Sequence, residues 1–184
     1  TGDIADDAVT AAKAGFSPGK IGQIVTTTFT GTESTTTEAT GNAYTDSSVA
    51  ATITPTATSS KIMVMSTINA GSTDSSNGVH IGRFTQAISG GSTTAVFIGD
   101  AASNRVRTSS GRGTASTNEN TLLVLGFNFV LAPSTTSAVT VTYQFTARGA
   151  AGSNLVYMNR TATDSDSTEY QRAASAITLM EILA

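Results

Sequence analysis

Apolar and polar residues alternate along most of the chain from residue 24 onward. KIMVMSTIN (61–69) places Ile62, Val64, Ser66 and Ile68 on one face and Met63, Met65 and Thr67 on the other. VTVTYQFTA (139–147) likewise sets Val139, Val141, Tyr143 and Phe145 against Thr140, Thr142, Gln144 and Thr146. A period of two predicts β-strands, and stiff, β-branched Thr suits the outer face of a strand.

The same pattern predicts about nine strands. Besides 61–69 and 139–147, they fall near 24–30, 43–54, 79–88, 95–99, 121–132, 154–159 and 176–183. The stretches between them, such as SGGST and APSTTS, are rich in turn-forming residues. Short strands at this spacing, with no convincing internal helix, predict an all-β, two-sheet sandwich of the jelly-roll type.

The final strand, ASAITLMEILA, is apolar on both faces. Ile177, Leu179 and Glu181 alternate with Met180 and Ile182. Such a strand is either central in its sheet or covered by a neighbouring subunit. Met63 and Met65 present the same alternatives, and packing inside one chain explains them equally well.

The first residues, TGDIADDAVTAAKAGF, differ from all that follows. Residues 3–14 are the one plausible helix, with Asp3 as its cap and acidic residues in its first turn. A helix this short is marginal alone and needs partners. The Gly- and Pro-rich AGFSPGKIG then predicts a linker, which divides the chain into a stalk segment with its linker at 1–18 and a β-domain at 19–184.

Composition narrows the function classes. The net charge of −3 and a charged fraction of 12% argue against nucleic-acid binding, which needs a basic face. The absence of Cys excludes disulfides and thiolate metal sites, and no apolar run is long enough to predict membrane insertion. With 34 Thr and 22 Ser but few large apolar residues, the core is expected to be thin and to be helped by subunit contacts.

Candidate chemistry is sparse. The single histidine, His80, lies in a predicted strand without the context of a catalytic triad or a zinc site. Asp164, Asp166 and Glu169 could ligate Ca²⁺, but the full calcium-loop pattern is missing, and a solvated acidic loop is the simpler interpretation. The sequence predicts no catalytic residue, metal or cofactor.

Arg105, Arg107 and Arg112 cluster in SNRVRTSSGRG. Their guanidinium groups could grip a phosphate or an acidic sugar through forked hydrogen bonds. They could equally form salt bridges with the acids of an adjacent subunit, which is the interpretation we favour from the sequence. Both uses stay open as ligand or subunit contacts.

Several stretches resemble one protein family in content and order. They are GKIGQIVTTTFTGT, ATITPTATSSKIMVMSTINAG, IGDAASNRVRTSSG and LVYMNRTATDSDSTEYQRAASAITLMEI. Together they resemble the C-terminal β-domain of virion fibre proteins from tailed phages, notably phages of aquatic bacteria. The resemblance spans roughly residues 19–183 and is most specific at the end of the chain.

The leader also matches. DIADDAVTAAKAG resembles the repeated I-A-D-x-A-V-T-x-x-K unit of phage fibre stalks, which are thought to be parallel homotrimers. The resemblance therefore implies a trimer of jelly-roll heads, and we expect Ile4, Val9 and Phe16 to face the threefold axis. A threefold arrangement would give the marginal helix its partners and hide edge strands.

Three functions follow as hypotheses. The first is a non-enzymatic virion-surface protein, assembled in the cytoplasm of the bacterial host, whose trimeric head attaches to a host glycan or protein through Arg105, Arg107, Arg112 or the 72–78 loop. The second is a head-fibre or capsid-decorating protein bound to other virion proteins. The third, a polysaccharide-degrading enzyme, is disfavoured because the chain has no Trp and only 6% aromatic residues.

Overall fold

A computed structural model describes residues 20–39, 43–73, 79–110, 120–147 and 155–183. The predicted stalk segment, with Ile4, Val9 and Phe16, lies outside this part of the chain, as do Arg112 and residues 74–78 of the 72–78 loop. The described residues form ten strands and no helix: β1 (Lys20–Phe29), β2 (Glu33–Thr35), β3 (Thr45–Ile53), β4 (Lys61–Ser72), β5 (His80–Ile88), β6 (Thr93–Val96), β7 (Leu123–Leu131), β8 (Val139–Ala147), β9 (Val156–Met158) and β10 (Ser175–Leu183).

The strands form two antiparallel sheets. In the first sheet the order is β1-β10-β4-β7, with the short β9 and β2 continuing beside the end of β4. In the second the order is β3-β8-β5-β6. If the short β2 and β9 are left aside, the chain crosses from one sheet to the other at every connection between consecutive strands except the β5–β6 connection. This is the winding of an eight-stranded jelly roll. The predicted all-β, jelly-roll sandwich is confirmed.

Sequence periodicity located the long strands well because most of them bury one face and leave the other at least partly exposed. Ile62, Val64 and Ile68 of β4 are fully buried, as are Val139, Val141 and Tyr143 of β8. The sequence missed β2, whose EST triplet is too short and polar to show a period. The core between the sheets also contains Phe84, whose ring contacts those of Phe127 and Phe129 at centroid distances of 5.1 Å, in edge and tilted geometries.

The last strand is central in its sheet, between β1 and β4, which accounts for its buried face but not for the apolar residues on its outer face. Ile177, Leu179 and Glu181 point into the sandwich and are fully buried. Met180 and Ile182 point outward and stay partly exposed. Met63 and Met65 lie on the same outer face.

Strand register defines two ends of the sandwich. Lys20 pairs with Leu183, and Ile182 pairs with Lys61, so these residues share one end, called here the proximal end. The opposite, distal end contains Phe29 and Ser175. The Gln23 side chain, near the start of β1, donates to the Thr54 carbonyl just after β3 at 2.6 Å. The end of β3 therefore lies at the proximal end of the sandwich as well.

Connections at the two ends differ greatly in length. The proximal connections are 54–60, 89–92 and 132–138. The distal ones include 97–122 and 148–174, the second of which contains β9. Long connections of this kind carry function in many rigid scaffolds. The distal end is therefore the first place to look for a site.

Candidate functional site

The 159–174 segment is anchored to the sandwich by Asn159. This residue is fully buried and has a left-handed backbone, with φ of 61°. Its side-chain amide donates to the carbonyls of Phe29 and Gly31 at 2.8 and 2.9 Å, and its side-chain oxygen accepts from Ser175 at 2.6 Å. Asn tolerates this backbone conformation better than most residues. Asn159 thus fixes the base of the segment to the distal ends of β1 and β10.

A surface depression lies within this segment. Its volume is about 430 Å³, and it is lined by Asp164, Ser165, Asp166, Ser167, Tyr170 and Arg172. Arg172 holds Asp164 through two hydrogen bonds of 2.9 and 2.7 Å. The bonded guanidinium lowers the pKa of the Asp164 carboxyl below its usual value. The lining combines carboxylates, hydroxyls, one aromatic ring and one cation, which can bind a hydroxylated ligand by hydrogen bonds and stacking.

The three acidic residues of the loop are not gathered around one point. Asp164 and Asp166 line the depression, whereas Glu169 is not part of its lining. Within the described ranges, no group of three acidic or histidine side chains is placed to hold a metal ion. The nearest cation to Asp164 is a guanidinium, so the carboxylate already has a partner of opposite charge.

The predicted arginine cluster lies in the connection after β6. Arg105 and Arg107 are both exposed, and Val106 between them is partly buried. This stretch is a loop and not a strand. Turns therefore produce the alternation of exposed arginines with the partly buried Val106, and in one of these turns the Arg105 amide donates to the Ala102 carbonyl at 3.1 Å. Arg107 donates through Nε to the Gly99 carbonyl at 2.7 Å. In the described part of the chain, neither guanidinium forms an ion pair.

Gly82 anchors this loop to the second sheet. Its carbonyl accepts hydrogen bonds from the Thr108 hydroxyl and from the amides of Ser109 and Ser110, the two amide bonds at 2.9 and 3.1 Å. A Cβ at Gly82 would lie 1.8 Å from the hydroxyl oxygen of Tyr143. Only glycine fits here, because the buried Tyr143 side chain occupies the space.

His80 belongs to the core under this loop and not to a reactive centre. It is buried, it stacks on Tyr143 and Phe145, and its Nε2 lies 3.0 Å from the Tyr143 hydroxyl. Burial lowers the pKa of His80 to about 3, because the imidazolium form would lose its water. The imidazole is therefore neutral at physiological pH and supports the sheet that carries Gly82.

Two further residues extend the polar surface beside the arginine loop. The Arg83 guanidinium lies over the Tyr44 ring at 3.9 Å from its centroid, and the Tyr44 hydroxyl donates to the Arg107 carbonyl at 3.2 Å. Cation–π contact of this kind holds both side chains in place. Sequence reasoning assigned no anchoring role to Tyr44, Gly82 or Asn159, since each acts through residues far away in the chain.

At the proximal end, the buried Glu181 joins three segments. It accepts from the Gln23 side chain at 2.9 Å, and from the amide and hydroxyl of Thr56 at 2.6 and 2.8 Å. Loss of water acts to raise the pKa of Glu181, but the hydrogen bonds from Gln23 and Thr56 outweigh it and hold the pKa at about 2. The carboxylate thus links β10 to β1 and to the 54–60 connection, at the end of the sandwich opposite the candidate site.

Comparisons with known proteins give little beyond the architecture. No protein-family model matches the chain, and no curated protein matches it significantly. Among solved structures, the chain is similar to a T=1 particle protein derived from infectious bursal virus, with 12% identity and a TM-score of 0.47 over 88% of this chain and 40% of that chain.

A second structure is the VP2 subviral particle of infectious bursal disease virus, with 13% identity and a TM-score of 0.44 over 88% of this chain and 41% of that one. The chain thus spans about two fifths of the length of these structural neighbours. Similarity at this level does not bear on what the chain does, since one fold serves many functions. In the part of the chain that the structure describes, no helix has the length and apolarity of a membrane span.

Proposed function

We propose that this chain is a non-enzymatic structural protein of a phage virion, a trimeric fibre head that attaches to a host surface through its distal loops. One observation carries the proposal most. Lys20, where the predicted stalk joins the sandwich, lies at the end opposite the long connections. A stalk that continues from Lys20 would hold these loops outward, where a receptor can reach them.

The distal loops offer two kinds of contact. Arg105 and Arg107 expose guanidinium groups without ion pairs among the described residues, so they can donate hydrogen bonds to a phosphate or carboxylate. The depression beside Asp164 and Tyr170 offers carboxylates, hydroxyls and an aromatic ring. Both suit an acidic or neutral glycan of a bacterial surface. We favour this use over subunit salt bridges because Arg105 and Arg107 lie in a distal connection, at the end opposite Lys20.

The resemblance to phage fibre domains supports the same assignment, and so does the low charge of the chain. The proteins with which it would assemble are two further copies of itself and other virion proteins. The chain would be assembled in the bacterial cytoplasm and function on the virion surface.

Cell binding tests this proposal. The fluorescently labelled full chain is incubated with bacterial isolates from the source habitat of the phage, and bound label is measured by flow cytometry. We expect binding to at least one isolate, and a loss of at least tenfold for the double variant Arg105→Ala, Arg107→Ala. The matched control Lys20→Ala removes an exposed cation at the proximal end and should bind like the parent chain.

Two results would contradict the proposal. If the double variant and the parent chain bind equally well, the arginines are not the contact. If gold-labelled antibody finds the protein spread over the capsid shell and the chain binds no cell that the phage infects, the decorating function is correct instead.

A further inference from the structure

The outer face of the first sheet carries an apolar row that crosses all four long strands. Strand pairing places Ile24 beside Met180, Met180 beside Met63, and Met63 beside Val130. Ile24 and Val130 are 55% and 48% exposed, and Met65 in the next row is 42% exposed. Ile21 and Ile182 pair on the proximal side of the row. Scattered apolar residues are normal on a surface, but a contiguous row is not.

Methionine and charge are distributed unevenly on this face. The chain has four Met residues, and all but the buried Met158 lie here. Lys61 is the only charged side chain on this face of the four strands, and no carboxylate accompanies it. Met is over-represented at binding surfaces because its side chain adapts to a partner. Depletion of charge is typical of the centre of an interface.

The face also has a depression next to the apolar row. It measures about 350 Å³ and is lined by Met65, Thr67, Gly126, Asn128 and neighbouring residues of β10. Gly126 creates it by lacking a side chain, since a Cβ there would meet no atom within 4 Å. The fold does not require glycine at this position, and the space is open to a side chain from a partner.

We infer that this face packs against a second copy of this chain, in the trimer on which the proposed function rests. A face whose one charge, Lys61, lies at its proximal end can line a threefold axis beside the same face of two other copies with little like-charge repulsion. Continuity with the predicted stalk gives the second argument. Lys20 follows the stalk segment directly, and β1 is paired on one side only among the described strands, so trimerised stalks would bring the β1 edges of the copies together.

The size of the face agrees with an assisted contact. Four strands about 4.8 Å apart and eight residues long cover roughly 500 Å². Stable interfaces bury about 800 Å² on each partner. The face alone is therefore too small for a tight complex, but a stalk that raises the local concentration of the copies would make the contact effective.

Light scattering on the full chain tests the inference. We expect three chain masses for the parent protein. Gly126→Lys and Val130→Lys place a charge on the face without disturbing the core, and each should raise the apparent dissociation constant at least tenfold and yield monomers at micromolar concentration. Thr94→Lys, at an exposed position of β6 in the other sheet, is the control and should stay trimeric. Circular dichroism confirms that each variant is folded.

Methionine oxidation provides a second readout on the same samples. Dilute hydrogen peroxide should spare Met63, Met65 and Met180 in the parent protein and oxidise Met65 first in Gly126→Lys. Met158, which is buried in the core, should stay reduced in both and is the internal control.

Each contrary outcome has its own meaning. A trimer that persists in both lysine variants, with Met65 as resistant to peroxide as in the parent protein, would show that the copies meet elsewhere, and the attachment function would stand. A monomeric parent protein with protected Met65 would assign the face to residues 1–19 of the same chain. A monomer with oxidised Met65 that gains protection only on purified particles would assign it to a shell protein. Either monomer result overturns the inference, whereas attachment is judged by the cell-binding assay.

Discussion

Replacing Glu181 with Gln should remove a defined part of the acid sensitivity of this protein. The carboxylate is buried in the folded chain and held at a pKa of about 2, against an ordinary value of 4.5. A carboxyl whose pKa is lowered by folding stabilises the folded state above its unfolded pKa, and that contribution is lost as the pH falls through the folded pKa. The window for Glu181 is therefore pH 4.5 down to about 2.

The magnitude follows from the difference of 4.5 − 2 = 2.5 pKa units. At about 1.4 kcal/mol per unit, Glu181 contributes about 3.5 kcal/mol to the free energy of unfolding at neutral pH, relative to its protonated form. The amide of Gln cannot accept all the hydrogen bonds from Gln23 and Thr56, so Glu181→Gln should be less stable than the parent by about 2 to 3 kcal/mol at pH 7.

The assay is urea unfolding followed by far-ultraviolet circular dichroism at several pH values and one chain concentration. The difference in free energy of unfolding between parent and variant should shrink from pH 5 to pH 2. The contributions of other groups that titrate in both proteins, including His80, cancel in this difference. Glu169→Gln, at an exposed position of the distal loop, is the control and should follow the parent. Parallel stability curves for the parent and Glu181→Gln would refute the reasoning.

Three further changes probe the distal end. Gly82→Ala should lower the free energy of unfolding by about 1 to 3 kcal/mol, because its methyl group would overlap the Tyr143 hydroxyl. The control Gly126→Ala, whose methyl group would meet no atom, should be neutral or slightly stabilising in urea unfolding. Equal losses of free energy in the two variants would contradict the packing argument. Asn159→Ala should cost about 3 kcal/mol and expose the 159–174 segment to limited proteolysis, since the carbonyls of Phe29 and Gly31 lose their donor and the buried Ser175 hydroxyl loses its acceptor. Unchanged cleavage would exclude Asn159 as the anchor. As the pH falls from about 6.5 toward 3, the parent protein should lose about 1.4 kcal/mol of its free energy of unfolding per pH unit, because protonation of the buried His80 imidazole opposes folding. His80→Phe should abolish this slope, and a parent protein without the slope would disprove the reasoning.

The sequence by itself determined where the strands lie and which faces they bury. Alternation is a local property: Val139, Val141 and Tyr143 repeat at the period of a strand whatever they pack against. The spacing of these strands also indicated a sandwich of the jelly-roll type, since few other arrangements bury so many short half-apolar strands. For the site, the sequence selected Arg105, Arg107 and the acidic loop, because clusters of charge are visible without a fold.

Only the tertiary structure decided how these parts relate. It placed the last strand between β1 and β4, and it made Asn159 and Gly82 the anchors of the distal loops. It also aligned Ile24, Met180, Met63 and Val130 in one row. These residues come from four strands separated by long connections, and their adjacency depends on register, which is set by the whole core and not by any local stretch of sequence.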